Sequence, residues 1–438
     1  MHTRKKIASA LVLFIPCLQV SAYELVNHEK TKLNANFQAI AAFMHSDESY
    51  STVGQTSSGS KEWQEGYVKL GFDGSQAFAL DTTLYGALSA LSSGSWGDGD
   101  AAGFTKGTER RTAIEDAYLG WRSGNLFPAF GNNGIDISSG RQEVTVGDGF
   151  LIKGDALNFG DANLGSNFDR GGAYYLAPRK AFDKTTVLRI GGSSGLRGDF
   201  MWLKSDNRAQ AQTELAVVNA EYISDSGTLG TTYIKGLDVN PDYSTPAQLE
   251  RDGMETVSMR GKSSFGIDDL NLAFEYATQD KKSGRENAWY LEGSWTFSET
   301  PWKPEATYRY SRFSEEFDPL FYGLSRGYGT WFQGEVAGNY AGPFNTNTRV
   351  HHVGFKARPS DDLTIGALYF DFDGIDKSHT NLSGDEADIY VEWMINEHFM
   401  ISPLIGFFKP DKSSENGGLQ TGSNNLNSYF QLVVGTFF

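Results

Sequence analysis

The chain has 438 residues, 39% of them hydrophobic, with 50 Gly, 30 Phe and 20 Tyr against only 12 Pro, and its formal net charge is −16. That acidity argues against nucleic acid or an anionic inner leaflet as a partner. Past the N-terminus no apolar run approaches the roughly 18 residues that a spanning helix needs, so any membrane crossing must be made by strands.

The first residues are Met1-His2-Thr3-Arg4-Lys5-Lys6, then a mainly apolar run from Ile7 to Leu18, then Val20-Ser21-Ala22 before Tyr23. A basic start, a short apolar centre and small residues at the boundary predict a cleavable secretory leader over 1–22, too short to be an anchor. Residues 23–438 are then the mature unit, with no composition break to mark a second domain. Cys17 is the only cysteine and lies in the leader, so the mature chain has no disulfide scaffold, thiolate metal site or cysteine nucleophile.

From about Leu33 onward one device repeats: alternating residues over the length of a strand, then a connection. Val68-Leu70-Phe72 alternate with Tyr67-Lys69-Gly71, and Leu270-Leu272-Phe274-Tyr276 alternate with Asn271-Ala273-Glu275. Trp289-Leu291-Gly293-Trp295-Phe297 and Ile389-Val391-Trp393 repeat the pattern later. One file suits lipid and the other water, as a transmembrane barrel strand requires. Soluble sandwiches alternate too, and the connections separate the two. Short links at Asp73-Gly74-Ser75, Ser123-Gly124-Asn125, Ser226-Gly227-Thr228, Ile267-Asp268-Asp269, Glu299-Thr300-Pro301, Ser360-Asp361-Asp362 and Glu397-His398 alternate with long polar ones. The long ones are 46–64, 92–111, 240–253, 315–347, 374–386 and 412–427. Short turns on one rim and long loops on the other are a barrel's habit.

The count is about eighteen strands, with sixteen as the alternative. Ala173-Tyr174-Tyr175-Leu176 is read as part of a long third loop, with 185–192 as the returning strand; a loop of that length in a wide barrel often folds inward. The last stretch places Phe430, Leu432, Val434, Thr436 and Phe438 on one mostly apolar file. A strand of that kind is an aggregation-prone edge in water and is at home closing a barrel in lipid. A terminal Phe438 resembles the signal read by the outer-membrane barrel assembly machinery.

Several stretches resemble the alginate-export family of Gram-negative outer-membrane barrels. They are Gly140-Arg141-Gln142 with Gly147-Asp148-Gly149, Phe317-Asp318-Pro319-Leu320-Phe321, Thr348-Arg349-Val350-His351-His352-Val353-Gly354, the block from Asp388 to Glu392, and Gly406-Phe407-Phe408-Lys409-Pro410. The resemblance implies an eighteen-stranded monomeric pore conducting a linear polyuronate or another anionic solute. The family's lumen is crowded with arginine, whereas this chain has fewer basic than acidic residues, which sets an alginate substrate in question without touching the fold.

If the apolar file faces lipid, parity assigns the pore lining. Basic candidates are Lys69, Arg122, Arg189, Arg260, Lys262, Arg309, His352, Lys356 and Arg358; acidic candidates are Asp81, Asp116, Glu275, Glu292, Asp371, Asp373, Asp388 and Glu392. Facing basic and acidic walls select ions by charge, while charges that merely pair across neighbouring strands line a wet pore without selecting. Arg141 falls on the lipid file by strict alternation from Ile135 and Ile137, at a cost of about 2–4 kcal/mol at mid-depth. A bulge near Gly140 that turns Arg141 inward, into a constriction, is therefore expected.

Acidic loop pairs, Asp47-Glu48, Asp98 with Asp100, Glu315-Glu316 with Asp318, and Asp385-Glu386, are candidate Ca²⁺ ligands or bridges to lipopolysaccharide phosphates. None has the spacing of an EF-hand, and solvated loop charge is the plainer reading. No Gly-x-Ser-x-Gly elbow or His-Glu-x-x-His motif is present. His351 and His352 are adjacent on a strand and point to opposite faces, a poor metal pair. The sequence thus reads as an all-β, antiparallel transmembrane barrel of a Gram-negative outer membrane. It is expected to be a channel for a charged solute rather than an enzyme, without cofactor. The alternative is a plugged barrel whose acidic loops bind a surface partner.

Overall fold

Side chains that alternate between greasy and polar can satisfy both solvents only if the sheet closes and every backbone group finds a neighbour. The computed structural model, which describes residues 23–323, 326–329 and 333–438, closes in that way. The expected leader and Cys17 lie outside the described residues. The strands are β1 (Tyr23–Asn27), β2 (Thr31–Ser46), β3 (Lys61–Ala77), β4 (Thr83–Gly97), β5 (Arg110–Arg122), β6 (Ile135–Gln142) and β7 (Phe182–Ile190). They continue with β8 (Gly195–Lys204), β9 (Glu214–Ser224), β10 (Gly227–Asp238), β11 (Glu255–Ser263), β12 (Leu270–Asp280) and β13 (Arg285–Thr296). The last six are β14 (Glu305–Phe313), β15 (Thr348–Ser360), β16 (Leu363–Gly374), β17 (Gly384–Asn396), β18 (Phe399–Pro410) and β19 (Asn427–Phe437).

Each strand from β2 to β19 pairs antiparallel with the next, and β19 returns to β2 from Tyr429↔Ser46 to Phe437↔Gln38, so eighteen strands form a ring. The short β1 pairs with the start of β2, from Tyr23↔Ala35 to Asn27↔Lys32. It lies end to end with β19, where Phe37 and Phe438 exchange two backbone hydrogen bonds of 2.7 and 2.9 Å. Among the described residues no helix is long and apolar enough to cross a membrane.

The outward file is apolar round the ring: Leu70, Phe72, Leu88, Leu119, Phe200, Leu229, Leu291, Phe355, Ile389 and Ile405 are all exposed. A fully exposed Leu or Phe forgoes about 1.5–3 kcal/mol in water. The belt belongs in hydrocarbon. Trp295, Phe297, Trp302, Trp393 and Phe399 gather toward the short-turn rim, and Trp96 and Tyr369 toward the other, as ring side chains do at membrane interfaces.

The short links fall on one rim, with one correction. Asp73-Gly74-Ser75 is not a turn: β3 runs on to Ala77, and Asp73 accepts hydrogen bonds from the Asn34 and Asn36 side chains at 3.0 and 2.6 Å across the β2–β3 ladder. The chain reverses at 78–82 instead.

What would be a core in a soluble protein lies here inside the ring. The third loop, 143–181, and the seventh, 314–347, both enter it. Tyr174, Tyr175 and Leu176 from the third loop and Val336, Ala337 and Tyr340 from the seventh are buried against Ile40, Met44, Trp63, Leu404 and Tyr429 of the wall. Trp63 meets Tyr340 edge-on at 5.5 Å. A second apolar group joins Phe150, Leu151 and Ile152 of the third loop and Phe317, Leu320 and Phe321 of the seventh to Val187, Met201, Leu215 and Tyr290.

Candidate functional site

Inward positions of β7–β11 carry charge on the short-turn half of the wall, and the third loop roofs it. That loop doubles back at Gly147-Asp148-Gly149, with Val146 N–H donating to the Ile152 carbonyl at 3.0 Å. Gly147 has φ +58°, and a Cβ there would stand 2.5 Å from Arg260 Nε, so the turn can press on the guanidinium only as glycine. Between turn and wall is a cavity of about 310 Å³ lined by Asp148, Arg189, Arg197, Asp199, Glu221, Arg260 and Lys262 among others.

Its charges are arranged asymmetrically. Arg260 donates to Thr232 Oγ1 and Asn219 Oδ1, each at 2.6 Å, and pairs with Glu221. Asp199 accepts from Arg197 at 3.1 Å and from Asn219 at 2.7 Å, with Arg189 at 3.9 Å. Lys262 reaches Asp148 at 3.5 Å. The Lys262, Arg189 and Arg197 side chains are 49%, 31% and 29% exposed, against 3% for Asp199, 13% for Glu221 and 17% for Asp148. Water in the cavity therefore meets cations, with the carboxylates set back behind them.

The roof is held electrostatically. Arg326 of the seventh loop donates to Asp148 at 2.8 Å and to Tyr290 Oη at 2.9 Å, and pairs with Glu292. Burial pushes the Asp148 carboxyl up, but Arg326 and Lys262 outweigh it and hold it below its ordinary value. Arg251, in the loop between β10 and β11, grips Asp318 through two hydrogen bonds of 2.7 and 2.8 Å and so ties the seventh loop to the fifth.

Of the residues assigned to the lining by parity, Arg189, Arg260 and Lys262 meet in this cavity. Glu275 faces inward opposite Arg260 in the β11–β12 register, and Glu292 opposite Arg309, at 3.2 Å. Lys69 and Asp116 face each other at 2.6 Å, and Arg122 pairs with Asp136 at 3.2 Å, on the separate stretch of wall from β3 to β6. Lys356 pairs with Glu305 at 2.8 Å; Arg358 and Glu392 lie on the inward files beside it, toward the short-turn rim. His352 points inward, buried and stacked on Phe370 at 4.4 Å. His351 points outward and meets the Tyr308 hydroxyl at 2.8 Å.

Three expectations are corrected. Asp371, with Asp373, faces outward: the inward file of β16 is Phe370 and Phe372, buried by the infolded loops. Both acids sit toward the long-loop rim, where Asp373 pairs with Arg349 at 3.4 Å and Lys377 at 2.7 Å. Asp81 lies in the short turn after β3. Arg141 forms no constriction. The register does slip between Gly140 and Gln142, yet it is Gln142 that turns in, bonding Ser138 and Thr185. Arg141 stays in the wall at the top of β6, paired with Asp183 at 3.1 Å and Asp206 at 2.7 Å.

Sequence reading missed Arg197, which alternation from the outward Leu196 could have supplied, and Arg326, which comes from a loop and had no periodic signal. Of the acids expected in loops, Asp100, Asp318 and Glu386 are buried, while Asp47, Asp98, Glu315, Glu316 and Asp385 are exposed. Asp100 is buried and accepts from the backbone of Ala102, Phe104 and Thr105, and Glu386 accepts from that of Glu335, Val336 and Ala337. Among the described residues no group of three His, Cys, Asp or Glu is placed to hold a metal.

A closed eighteen-stranded ring with an apolar belt, short turns on one rim and a lumen narrowed by infolded loops defines an outer-membrane barrel of the porin type. No family model matches the chain, and no curated protein matches it in sequence. Its fold is similar to the crystal structure of Acinetobacter baumannii OccAB4, with a TM-score of 0.61 and 11% identity over 94% of this chain and 99% of that one. It is also similar to Pseudomonas aeruginosa OccK8 (OprE), at 0.59 and 11% over 93% and 98%, and to Pseudomonas aeruginosa OpdQ, at 0.57 and 12% over 93% and 97%. At such identities the likeness is one of fold: these are outer-membrane porins. The alginate-export resemblance gains nothing from them beyond the barrel.

Proposed function

We propose that the protein is a passive channel preferring small, carboxylate-bearing anions. The observation that carries this reading is the cavity under Asp148, where Arg189, Arg197 and Lys262 present their charge to water while Asp199 and Glu221 are withdrawn. Such a wall replaces part of a carboxylate's hydration at several weak sites in succession, so the anion is drawn in and still released. The infolded loops bury Tyr174, Tyr175 and Tyr340 against the wall, and a lumen occupied in this way favours a small solute over a polyuronate chain, which sets this reading apart from alginate export.

Single-channel recording of the purified protein in planar bilayers tests it. Millimolar mono- and dicarboxylates are expected to reduce the ionic current, and arginine or lysine to leave it unchanged. Block by the cationic amino acids alone would reverse the assignment. The second reading, a plugged barrel working through its outer loops, is favoured by the packing of Tyr340 of the seventh loop, inside the ring, against Trp63 and Tyr429 of the wall. It requires that no steady current flow.

A further inference from the structure

We propose that an opening in the barrel wall between β5 and β7 binds a phosphate group of an outer-leaflet glycolipid, with one acyl chain lying in the groove below it. The opening arises because β6 is short. Its pairing with β5 ends at Ala117↔Arg141, so Arg110–Asp116 of β5 have no strand partner on that side. The end of the third loop fills part of the space: Lys180 and Ala181 donate to Glu115 at 2.8 Å each, and Arg179 donates to the carbonyls of Leu91 and Arg111 at 3.0 and 2.9 Å.

A cavity of about 420 Å³ remains, and Arg111, Arg141, Arg170, Arg179 and Arg208 all line it. Its carboxylates are already answered. Asp206 accepts from Arg141 and Arg170, Asp183 from Arg141, and Asp169 from the Gly171 amide at 2.7 Å. Donors are left over. Arg179 is 2% exposed, yet its Nη1 makes no hydrogen bond and lies 4.0 Å from Glu115; Arg141 Nε is likewise buried without an acceptor. Buried guanidinium N–H groups without acceptors are costly, and a phosphate oxygen is the acceptor that their fork geometry fits.

The identity of the anion follows from what adjoins the cavity. Ile114, exposed on the lipid face, lines it and also lines a groove of about 490 Å³ that is almost wholly apolar, walled by Phe37, Leu70, Phe72 and Leu88. An arginine-lined pocket at the long-loop rim, continuous with an acyl-sized groove, matches a phosphorylated lipid better than a free anion. The site is independent of what the pore carries.

The test uses the detergent-purified full chain and three probes: bisphosphorylated hexa-acyl lipid A, the same lipid without phosphate, and inorganic phosphate. Bisphosphorylated lipid A is expected to bind, measured by native mass spectrometry, with at least tenfold loss on removing its phosphates and a similar loss in the R111A/R208A double variant. Undiminished binding by that variant, or by the dephosphorylated lipid, overturns the site. Inorganic phosphate binding as tightly as the lipid overturns the lipid assignment. A photoreactive benzophenone amino acid in place of Ile114 gives a readout that survives if the double variant fails to assemble: a cross-link to lipid A in native membranes is expected, and its absence contradicts the proposal.

Discussion

Two sides of the lumen are written with the same two-residue period and end in opposite states. Where β18 and β19 meet β2, the inward file includes Ile40, Met44, Met400, Leu404, Tyr429, Val433 and Phe437, all buried, with both loops pressed against its upper part. Across the ring, the inward file of β7–β11 ends in Arg189, Arg197, Glu221, Arg260 and Lys262 around open volume. Alternation decides which file is inward. Whether that file is dry or wet depends on what it carries where the loops stop, and the roof at Asp148 marks the boundary.

The contrast can be broken most violently from the dry side. Glu386→Ala leaves the amides of Glu335, Val336 and Ala337 without their acceptor, a loss of roughly 3–5 kcal/mol for a buried charged partner. A lower melting temperature in detergent and a several-fold larger single-channel conductance are expected as the seventh loop leaves the lumen. Unchanged values of both would mean that this loop does not close the dry side.

On the wet side, R197E combined with K262E is expected to turn anion preference into cation preference, read as a change in sign of the reversal potential. Arg197 and Lys262 are exposed to the cavity rather than locked in its wall, so folding is expected to survive.

A smaller effect comes from pH. Burial pushes the Glu335 carboxyl up to about 8 from an ordinary 4.5, against the opposing Tyr175 hydroxyl at 2.9 Å. Because the packed loop holds its proton more tightly than a released one, this part of the packing is full below about 4.5 and is lost as pH rises through about 8. Hydrogen exchange of residues 333–341 is expected to be faster at pH 8.5 than at pH 5, and Glu335→Gln is expected to flatten the difference.

Least affected is the outer face. Arg349→Ala removes an exposed ion pair with Asp373 and is expected to change stability by less than about 1 kcal/mol, with selectivity untouched. A shift in permeability ratio would return Asp371 and Asp373 to the lumen.

That last comparison also shows where the sequence is legible and where it is not. The files of Val68-Leu70-Phe72, Leu270 to Tyr276 and Phe430 to Phe438 face outward as their alternation requires, and the returning strand after the third loop lies at Phe182–Ile190. On β16 the same rule fails because both files carry aromatics: Phe370 and Phe372 look lipid-facing until His352 and Phe408 are found stacked and packed beside them inside the ring. Arg326 joins the roof through contacts 178 and 34 residues away in sequence, to Asp148 and Glu292. No local pattern reports such pairings. The surroundings of Arg141 are not written locally either, since they are set by where β6 stops relative to β5.

The most direct test of the account is the reversal potential of the wild-type protein in a planar bilayer across a tenfold KCl gradient. A steady current that reverses on the anion-preferring side of zero is expected from the exposed Arg189, Arg197 and Lys262. A closed barrel with no current, or a reversal on the cation side, contradicts it.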